Sequence, residues 1–307
     1  MKPKRPSVTT FICALILALA MTSCGSTQQA TKEKSVEIVS FEVVTDLAFE
    51  ITETSGLVKY NGKLIAHNDS GASPTIYFID TAGNIEDSTT FSNAVNVDWE
   101  DITLSSTHLF LADTGNNEGN RKDLTIYKFP LESIKDSGVV PEKINISYKW
   151  QQDFTSKLQN NSYDGEALTY KDGKLLLFSK NWIDFTTEVY SIPDVVGSYE
   201  LDHSQSIIIN GLVTGATTNG KINIILCGYN SGLEPFVAVL GKVIKGYQLI
   251  KRIELPIENG AQVEGITFFE TIGDNEIYYL SSEAVNLKLG DEEATANSQL
   301  YRLVLKN

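Results

Sequence analysis

Five short cassettes in this chain each begin with an oxygen-bearing side chain, followed by a small residue and then an aliphatic one. The first residues of the cassettes are Ser55, Glu100, Glu166, Thr214 and Glu264. Carboxylate and hydroxyl oxygens are hard ligands, and Ca²⁺ takes about 6–8 of them in a flexible arrangement. A fold that gathers these five positions would therefore have the chemistry of a calcium site.

Each cassette opens a repeat of similar plan. A turn separates the cassette from a second apolar run that ends in polar residues, and a third run follows, with an aliphatic–tyrosine pair such as Ile76-Tyr77 or Leu300-Tyr301. The cassettes are 45, 66, 48 and 50 residues apart. Short β-type runs with this period are typical of propellers that have one four-stranded blade per repeat. The sequence therefore predicts an all-β fold, a five-bladed β-propeller.

The two ends of the folded chain are expected to pair. Residues 35–45 alternate between apolar and polar and are rich in β-branched side chains, whereas the last repeat ends at Leu305 after three strands. Pairing the termini would remove two exposed sheet edges. We therefore predict that residues 35–45 form the fourth strand of the last blade, within one propeller domain of residues 35–307. The polar stretches 151–163 and 286–298 are predicted to be loops.

The propeller would bring the cassettes together. The first strand of each blade lines the central channel, and the antiparallel second strand returns to the face where the first began. The first residues of the cassettes should therefore form a ring at one mouth of the channel. The tails of the second strands should surround this ring with Asn68, Asp69, Asp113, Asn116, Asn117, Lys180, Asn181, Tyr229, Asn230, Ser282 and Glu283.

The three glutamates of this ring would repel one another, since burying an unpaired carboxylate costs on the order of several kcal/mol. Lys180 supplies one positive charge, and a divalent cation would satisfy the ring better. Calcium is expected rather than zinc, because the ring contains no His or Cys. The expected ligands are Ser55, Glu100, Glu166, Thr214 and Glu264. Alternatively, the glutamates face water or accept hydrogen bonds from neighbouring backbone N–H groups.

The first residues resemble a bacterial lipoprotein signal. A positively charged start precedes an apolar run from Phe11 to Met21, which ends shortly before Cys24. Eleven apolar residues are too few to span a bilayer, which needs about 20. We therefore expect residues 1–23 to be a signal peptide and Cys24 to be the lipidated first residue of the mature chain.

Residues 24–34 would then form a polar tether between the lipid and the domain. A plain secretory peptide, cleaved near Ala20, is the alternative. The lipoprotein interpretation places the protein in the cell envelope, anchored to the outer membrane or the cell surface by its acyl chains, palmitate among them.

The charge of the chain excludes two kinds of partner. The formal net charge is −14, and removing the three basic residues of the signal peptide would make it −17. Nucleic-acid binding depends on Lys and Arg at the phosphates, so no nucleic-acid partner is expected, and anionic lipid headgroups would be repelled. Cys13 and Cys24 belong to the signal region, which leaves Cys227 without a disulfide partner. We expect a monomer that is stabilised by its own core.

The order Ser, Glu, Glu, Thr, Glu at one position of five blades resembles the central calcium site of the calcium-activated nucleotidases. These are five-bladed apyrases with the order Ser, Glu, Glu, Ser, Glu. The run from Ser55 to Gly71 is similar to the start of the apyrase first blade. This resemblance implies a channel calcium ion and hydrolysis of phosphoanhydrides. However, Asn68-Asp69-Ser70-Gly71 lacks the arginine that apyrases carry there, which leaves little positive charge for a transferring phosphate.

A second resemblance extends across nearly the whole mature chain. The segments 67–71, 98–101, 113–117 and 164–168 are similar to those of a group of secreted or lipid-anchored bacterial propellers of unassigned function. This resemblance supports the fold and the anchor, and it implies no particular reaction.

Two functions follow from the predicted mouth. The first is binding of a small molecule, a glycan or a protein beside the calcium ion, with candidate ligand-binding residues Asn68, Asn116, Asn117, Asn181, Tyr229 and Asn230. The second is calcium-dependent hydrolysis of phosphoanhydrides or esters, with candidate catalytic residues Asp69, Asp113, Lys180 and Glu283. A glycosidase would need two free carboxylates about 5–9.5 Å apart, which conflicts with holding all three glutamates on one ion.

Overall fold

Alternating and β-branched runs form strands in every repeat of the computed structural model, which describes residues 36–306 except 220–222, 258–259 and 290–291. The strands assemble into five large sheets. In the first four blades the four main strands follow chain order from the inner strand outward, and neighbouring main strands are antiparallel, as in the blades of a propeller.

Chain order begins with β1 (Glu37–Asp46), which belongs to the last blade. A short 3-10 helix, Phe49–Ile51, leads to blade one. The strands of blade one are β2 (Thr54–Tyr60), β3 (Lys63–Asn68), β4 (Thr75–Ile79) and β5 (Ile85–Thr90). Blade two consists of β6 (Trp99–Leu104), β7 (His108–Asp113), β8 (Thr125–Pro130), a 3-10 helix at Leu131–Ser133, and β9 (Glu142–Tyr148).

Blade three contributes one strand to its neighbour. Its own strands are β10 (Asp164–Lys171), β11 (Lys174–Lys180), β12 (Thr186–Pro193) and, after β13 (Gly197–Leu201), β14 (Gln205–Ile208). Strand β13 pairs in parallel with β9 and becomes the fifth strand of blade two. Blade four consists of β15 (Leu212–Thr218), β16 (Ile224–Tyr229), β17 (Pro235–Lys242) and β18 (Tyr247–Glu254).

Blade five combines both ends of the described chain. Its strands are β19 (Val263–Ile272) and β20 (Asn275–Ser282), then, after the hairpin β21 (Val285–Leu289) and β22 (Glu292–Ala296), β23 (Gln299–Lys306). Strand β1 pairs antiparallel with β23, from Glu37 opposite Lys306 to Asp46 opposite Gln299. The predicted closure of the propeller by the N-terminal strand is confirmed.

The prediction of a loop over residues 286–298 is wrong for most of that segment. Val285 pairs with Ala296 and Leu289 with Glu292, so β21 and β22 form a separate two-stranded sheet. The two strands of this hairpin pair only with each other, outside the blade, so they do not need the apolar alternation of a strand that packs in the core. The polar composition therefore led to the prediction of a loop. By contrast, residues 151–163 contain no helix or strand and form a loop, as predicted.

The inner strands β2, β6, β10, β15 and β19 contact one another in sequence, and β19 contacts β2 again. Apolar side chains pack between adjacent blades, as Phe178 of blade three does in one cluster with Leu226 and Phe236 of blade four. The chain is therefore a five-bladed β-propeller, as the repeats predict. Within the described residues, no helix has the length and apolar character that crossing a membrane requires.

Candidate functional site at the channel mouth

The cassettes and the tails of the second strands lie at the same end of their blades. In blade one Thr54 pairs with Asn68, and in blade three Asp164 pairs with Lys180. The other blades have the corresponding pairs Trp99 with Asp113, Leu212 with Tyr229, and Val263 with Ser282. Residues far apart in the chain therefore converge at one mouth of the channel.

The first residue of each cassette lies in a β-bulge. In blades three, four and five the residues omitted from the pairing register are Glu166, Thr214 and Glu264. In blades one and two the interruption covers Ser55-Gly56 and Glu100-Asp101. A bulge redirects a side chain and is common beside functional sites. The repeated cassette is therefore a repeated bulge, and all five of these residues are buried.

The second residue of the cassette is small because neighbouring strands approach it closely. A Cβ atom on Gly215 would lie 2.5 Å from the carbonyl oxygen of Glu264, and one on Gly265 would lie 2.9 Å from the Cβ of Leu57. Both distances are shorter than van der Waals contact permits. A larger residue at these positions would therefore push adjacent blades apart.

Asp101 occupies the equivalent position in blade two, and its carboxylate joins three inner strands. Oδ1 accepts the N–H of Ile102 at 2.8 Å, while Oδ2 accepts those of Leu168 at 2.7 Å and Ala216 at 3.0 Å. The side chain is fully buried, and burial raises its pKa well above the usual value. Asp101 thus links blades two, three and four, a role that sequence reasoning did not assign.

The hydroxyl groups of the ring connect adjacent blades. Ser55 Oγ donates a hydrogen bond to the carbonyl of Glu100 at 2.6 Å, and Thr214 Oγ1 donates to that of Val263 at 2.7 Å. Both hydroxyl oxygens retain lone pairs, but their protons are committed to the fold. These two residues therefore hold neighbouring inner strands in register at the mouth.

Carboxylate oxygens form two overlapping groups at the mouth. One oxygen each from Glu100, Asp164 and Glu166 lie within 4.8 Å of one another, and the same holds for Asp69, Asp98 and Glu100. Asp98 and Asp164 stand two residues before Glu100 and Glu166. A spacing of two puts side chains on the same face of a strand. This Asp-x-Glu spacing was the available signal for two acids that the predicted site omits.

In the group formed by Glu100, Asp164 and Glu166, one buried carboxylate oxygen lacks a hydrogen-bond donor. Asp164 accepts hydrogen bonds from the backbone N–H of Asn116 and the indole N–H of Trp182, the latter at 2.7 Å. Glu166 Oε2 lies 3.2 Å from Lys180 Nζ. Glu166 Oε1 is buried and accepts no hydrogen bond from a described N–H or hydroxyl group, and its nearest polar neighbour of note is the carboxyl group of Glu100, which could bond to it only by carrying a proton. Such an atom is costly unless a cation or a solvent proton satisfies it.

Burial raises the pKa values of the clustered carboxyl groups, because the charged form loses hydration. The pKa of Asp69 rises to about 6 and that of Asp98 to about 7. The pKa values of Glu100 and Glu166 are raised well above the usual value, and the charge of Glu166 adds to the effect on Glu100. Deprotonating each of these carboxyl groups therefore costs free energy, and a nearby positive charge would offset that cost.

Lys180 is the basic residue nearest to the ring glutamates. Its ammonium group lies 5.0 Å from the ring centroid of Trp182 and 5.4 Å from that of Tyr229. Burial by itself would lower the pKa of Lys180, but the carboxylates of Glu166 and Glu264 raise it well above its usual value. Lys180 is therefore a fixed positive charge within the site.

Glu264 lies on the Lys180 side of the mouth. Burial raises its pKa to about 7, whereas the charge of Lys180 lowers it. Glu264 belongs to neither of the two groups of closely spaced carboxylate oxygens that contain Glu100. The five predicted ligands therefore share one mouth, but only two of them, Glu100 and Glu166, have carboxylates in close contact with the same group.

Arg121 supplies the second positive charge. It pairs with Asp113 at 3.0 Å and with Asp123 at 3.1 Å, and it donates to the carbonyl of Gly115 at 2.8 Å. In the described part of the mouth, Lys180 and Arg121 face eight mutually interacting carboxyl groups: Asp69, Asp98, Glu100, Asp113, Asp164, Glu166, Glu264 and Glu283. The site is strongly acidic and suits a cation.

The amides predicted to bind a ligand are engaged in the loops of the mouth. Each Oδ1 accepts a backbone N–H: Asn68 from Glu53, Asn116 from Arg121, Asn181 from Ile183 and Asn230 from Gly232. The carbonyl of Asn117 accepts the N–H of Gln159 at 2.8 Å. These residues shape the mouth, whereas Tyr229 lies directly beside Lys180.

The candidate catalytic residues are all at the mouth but differ in their surroundings. Asp113 is buried and paired with Arg121, and Lys180 is buried and paired with Glu166. Asp69 is partly exposed, with its carboxylate in the group that contains Glu100. Glu283 is partly exposed and accepts a hydrogen bond from the side chain of Gln262. Asp69 and Glu283 are therefore the two candidates that solvent can reach.

Comparisons with known proteins give similarity in fold without similarity in sequence. No protein-family model matches the chain, and no curated protein matches it in sequence. Among solved structures, it is similar to the PQQ-bound form of an aldose sugar dehydrogenase from Streptomyces coelicolor, with a TM-score of 0.50 and 10% identity. That match covers 87% of this chain and 98% of the dehydrogenase.

Two further solved structures have lower scores. A glucose dehydrogenase has a TM-score of 0.45 at 8% identity, with 86% of this chain and 98% of the other covered. The WD40 β-propeller domain of Doa1 has a TM-score of 0.37 at 13% identity, with coverages of 84% and 72%. At 10% identity, the match to the aldose sugar dehydrogenase supports the propeller fold alone.

Proposed function

We propose that this protein is a ligand-binding propeller whose channel mouth holds a calcium ion. The observation that carries the proposal is Glu166 Oε1, a buried carboxylate oxygen beside Glu100 and Asp164 that accepts no hydrogen bond from a described N–H or hydroxyl group. A divalent cation among these three residues would satisfy that oxygen and reduce the repulsion between the carboxylates. The ligand, a small molecule, a glycan or a protein, would bind at the same mouth.

Oxygen chemistry favours calcium over a transition metal. The principal ligands would be Glu100, Asp164 and Glu166, with Ser55, Thr214 and Glu264 in the same ring. His67 is the one histidine close to the cassettes, and its ring is buried against Trp99 instead of among the carboxylates. Carboxylates with additional carbonyl, hydroxyl and water oxygens are the ligands that Ca²⁺ prefers. When bound, the ion would neutralise charge and offer open coordination positions to an oxygen-bearing ligand.

To test for the cation, protein that has been treated with a chelator is titrated with calcium. Calorimetry measures the heat of binding, and thermal unfolding measures Tm. Calcium at about 100 times its Kd should raise Tm by about 5 °C. Glu166→Gln should abolish both the heat of binding and the rise in Tm. Glu142→Gln, at an exposed position of β9 outside the mouth, is the matched control and should behave like wild type. An unchanged Tm in wild type would contradict the proposal.

A calcium-dependent hydrolase is the second candidate, and Asp69 is the observation that favours it. Asp69 is partly exposed at the mouth, and burial raises its pKa to about 6, close to the range in which a carboxylate can act as a general base. Against this candidate, Lys180 and Arg121 are both committed to carboxylates, whereas phosphoryl transfer needs positive charge on the phosphate.

Nucleoside di- and triphosphates, phosphomonoesters and aryl esters should be incubated with the protein in calcium and in EDTA. The binding proposal predicts no turnover of any of them. Calcium-dependent turnover that is lost in both Glu166→Gln and Asp69→Asn would instead establish the hydrolase.

We also propose a lipid anchor at Cys24 and a location in the cell envelope. The proposal rests on the charged start, the short apolar run and the cysteine that follows it. Labelling with palmitate in a bacterial host should mark the wild-type chain and not Cys24→Ser, and the variant should leave the membrane fraction. A wild-type chain without label would contradict the anchor.

A further inference from the structure

A cleft of about 370 Å³ lies beside the channel mouth, next to the loop of residues 151–163. Trp150 and the following residues line it on one stretch, and residues 160–163 line it on another. Glu118, Gly119 and Ile183 complete the lining. Its volume is within the range of pockets that bind small molecules, about 300–1,000 Å³.

The loop that forms the cleft is tied to blade two at several points. The N–H of Lys157 donates to the carbonyl of Glu118 at 2.9 Å, and that of Gln159 to Asn117 at 2.8 Å. The side chain of Gln151 donates to the carbonyl of Gly119 at 2.8 Å. These bonds pre-form the cleft, so a ligand would not have to order it on binding.

The cleft has two exposed apolar side chains. Trp150 is 57% exposed and Ile183 is 63% exposed. The indole N–H of Trp150 donates to Asp202 at 2.9 Å, and Asp202 also pairs with Lys149 at 2.8 Å. Lys149 Nζ lies over the same ring, 4.8 Å from its centroid, and covers one of its faces. A tryptophan held in place by its polar edge can offer its other face as a rigid platform for the flat apolar face of a ligand.

The polar groups of the cleft favour a neutral ligand. Gln152 and Asn160 are exposed amides that can both donate and accept hydrogen bonds. Of the charged lining residues, Glu118 and Asp153 are acidic, and Lys157 is paired with Asp153 at 3.0 Å. An anionic ligand would face net negative charge here. The combination of an aromatic surface with amides and carboxylates fits a ligand that has an apolar face and many hydroxyl groups.

From these observations we infer that the cleft is a binding site for neutral saccharides. The pyranose ring would lie against Trp150, and its hydroxyl groups would bond to the surrounding amides and carboxylates. The site is connected to the mouth, because Asn161 bonds to the carbonyl of Asn116 at 3.1 Å and accepts the N–H of Trp182 at 3.1 Å. The inference concerns a different set of residues from the calcium proposal and does not depend on it.

The test uses the mature chain without its lipid and a panel of neutral hexasaccharides of β-1,4-glucose, α-1,4-glucose, β-1,4-xylose, β-1,4-mannose and β-1,4-N-acetylglucosamine. Binding is measured by saturation-transfer NMR and tryptophan fluorescence at concentrations up to about 10 mM. At least one hexasaccharide should bind. Trp150→Ala should weaken that binding by about tenfold or more, as expected for an aromatic anchor.

Two controls make the result specific to the cleft. Trp150→Phe, which keeps an aromatic face, should retain most of the affinity, and Ile244→Ala, an exposed apolar residue outside the cleft, should bind like wild type. Binding should also persist in EDTA, which separates this site from the cation. The inference is overturned if no neutral hexasaccharide binds or if Trp150→Ala binds as wild type does.

Discussion

At the scale of single residues, Asp101 is the side chain on which the centre of the propeller depends most. Its carboxylate accepts three backbone N–H groups from three blades without any exposure to solvent. Removing it would leave three buried donors unsatisfied, each of which costs about 1–3 kcal/mol.

We therefore expect Asp101→Ala to lower the free energy of unfolding by about 4 kcal/mol, and Asp101→Asn, which keeps one acceptor, by about 2 kcal/mol. Urea denaturation of both variants measures these differences. A negligible loss for Asp101→Asn beside a large loss for Asp101→Ala would show that the volume of the side chain, and not its acceptors, stabilises the centre.

His67 is a second buried polar residue, and it should make stability depend on pH. Its Nδ1 lies 3.1 Å from the carbonyl of Asn68, and Nε2 has no partner among the described residues. Burial lowers its pKa from 6.5 to about 4. Because the folded state holds the proton more weakly than the unfolded state, this contribution to stability is complete above pH 6.5 and is lost as pH falls toward 4.

Between pH 7 and pH 4, wild type should therefore lose about 3 kcal/mol more of its unfolding free energy than His67→Asn does. The carboxyl groups with raised pKa values increase the free energy of unfolding as pH falls, which opposes the effect of His67. They are common to both proteins and cancel in the comparison. The control His203→Asn, at an exposed position, should keep the wild-type loss. Parallel pH profiles for wild type and His67→Asn would refute this account.

At the scale of elements, the repeated bulge combines two requirements in one short segment. The bulged residue directs its side chain to the mouth, and the next residue must be small because another blade lies against it. These requirements explain why the cassette recurs although the rest of each repeat varies.

Gly215→Ala tests the second requirement. The added Cβ would lie 2.5 Å from the carbonyl oxygen of Glu264 and 2.9 Å from Cys227 Sγ, so the strands must separate. We expect a loss of about 3 kcal/mol in unfolding free energy, measured by urea denaturation. Gly138→Ala, where the nearest atom is the side-chain oxygen of Asp136 at 3.3 Å, should change stability by less than about 0.5 kcal/mol. A neutral Gly215→Ala would show that the bulge adapts.

At the scale of the whole molecule, closure by β1 protects the edge of the last blade. The strand pairs with β23 along its length, and Phe41 stacks on Tyr301 with ring centroids 5.3 Å apart. Without β1, the outer edge of β23 would present unpaired backbone groups, which promote association between chains.

A variant that begins at Leu47 should therefore melt about 10 °C lower and form oligomers, whereas one that begins at Ser35 should remain as stable as the longer chain. Thermal unfolding and size-exclusion chromatography with light scattering measure both effects. A monomeric variant with an unchanged Tm would show that blade five is stable with three strands.

The sequence by itself determined the number of blades, their closure and the end of the channel at which the polar residues gather. These features depend on local patterns: alternation in the strands, turn residues between them, and a cassette that repeats because each blade needs the same bulge. A strand of period two also fixes which residues share a face, so Glu100 and Glu166 could be placed at the mouth from their positions in the repeat alone.

Only the tertiary structure decided which of these side chains meet. Asp164 joins Glu100 and Glu166, while Glu264 lies beside Lys180, because the distances between blades depend on packing around the whole ring. The parallel pairing of β13 with β9 joins segments that are about 50 residues apart, and no local pattern encodes such a partner. The same is true of Asp101, whose three hydrogen bonds come from strands that only the closed circle brings together.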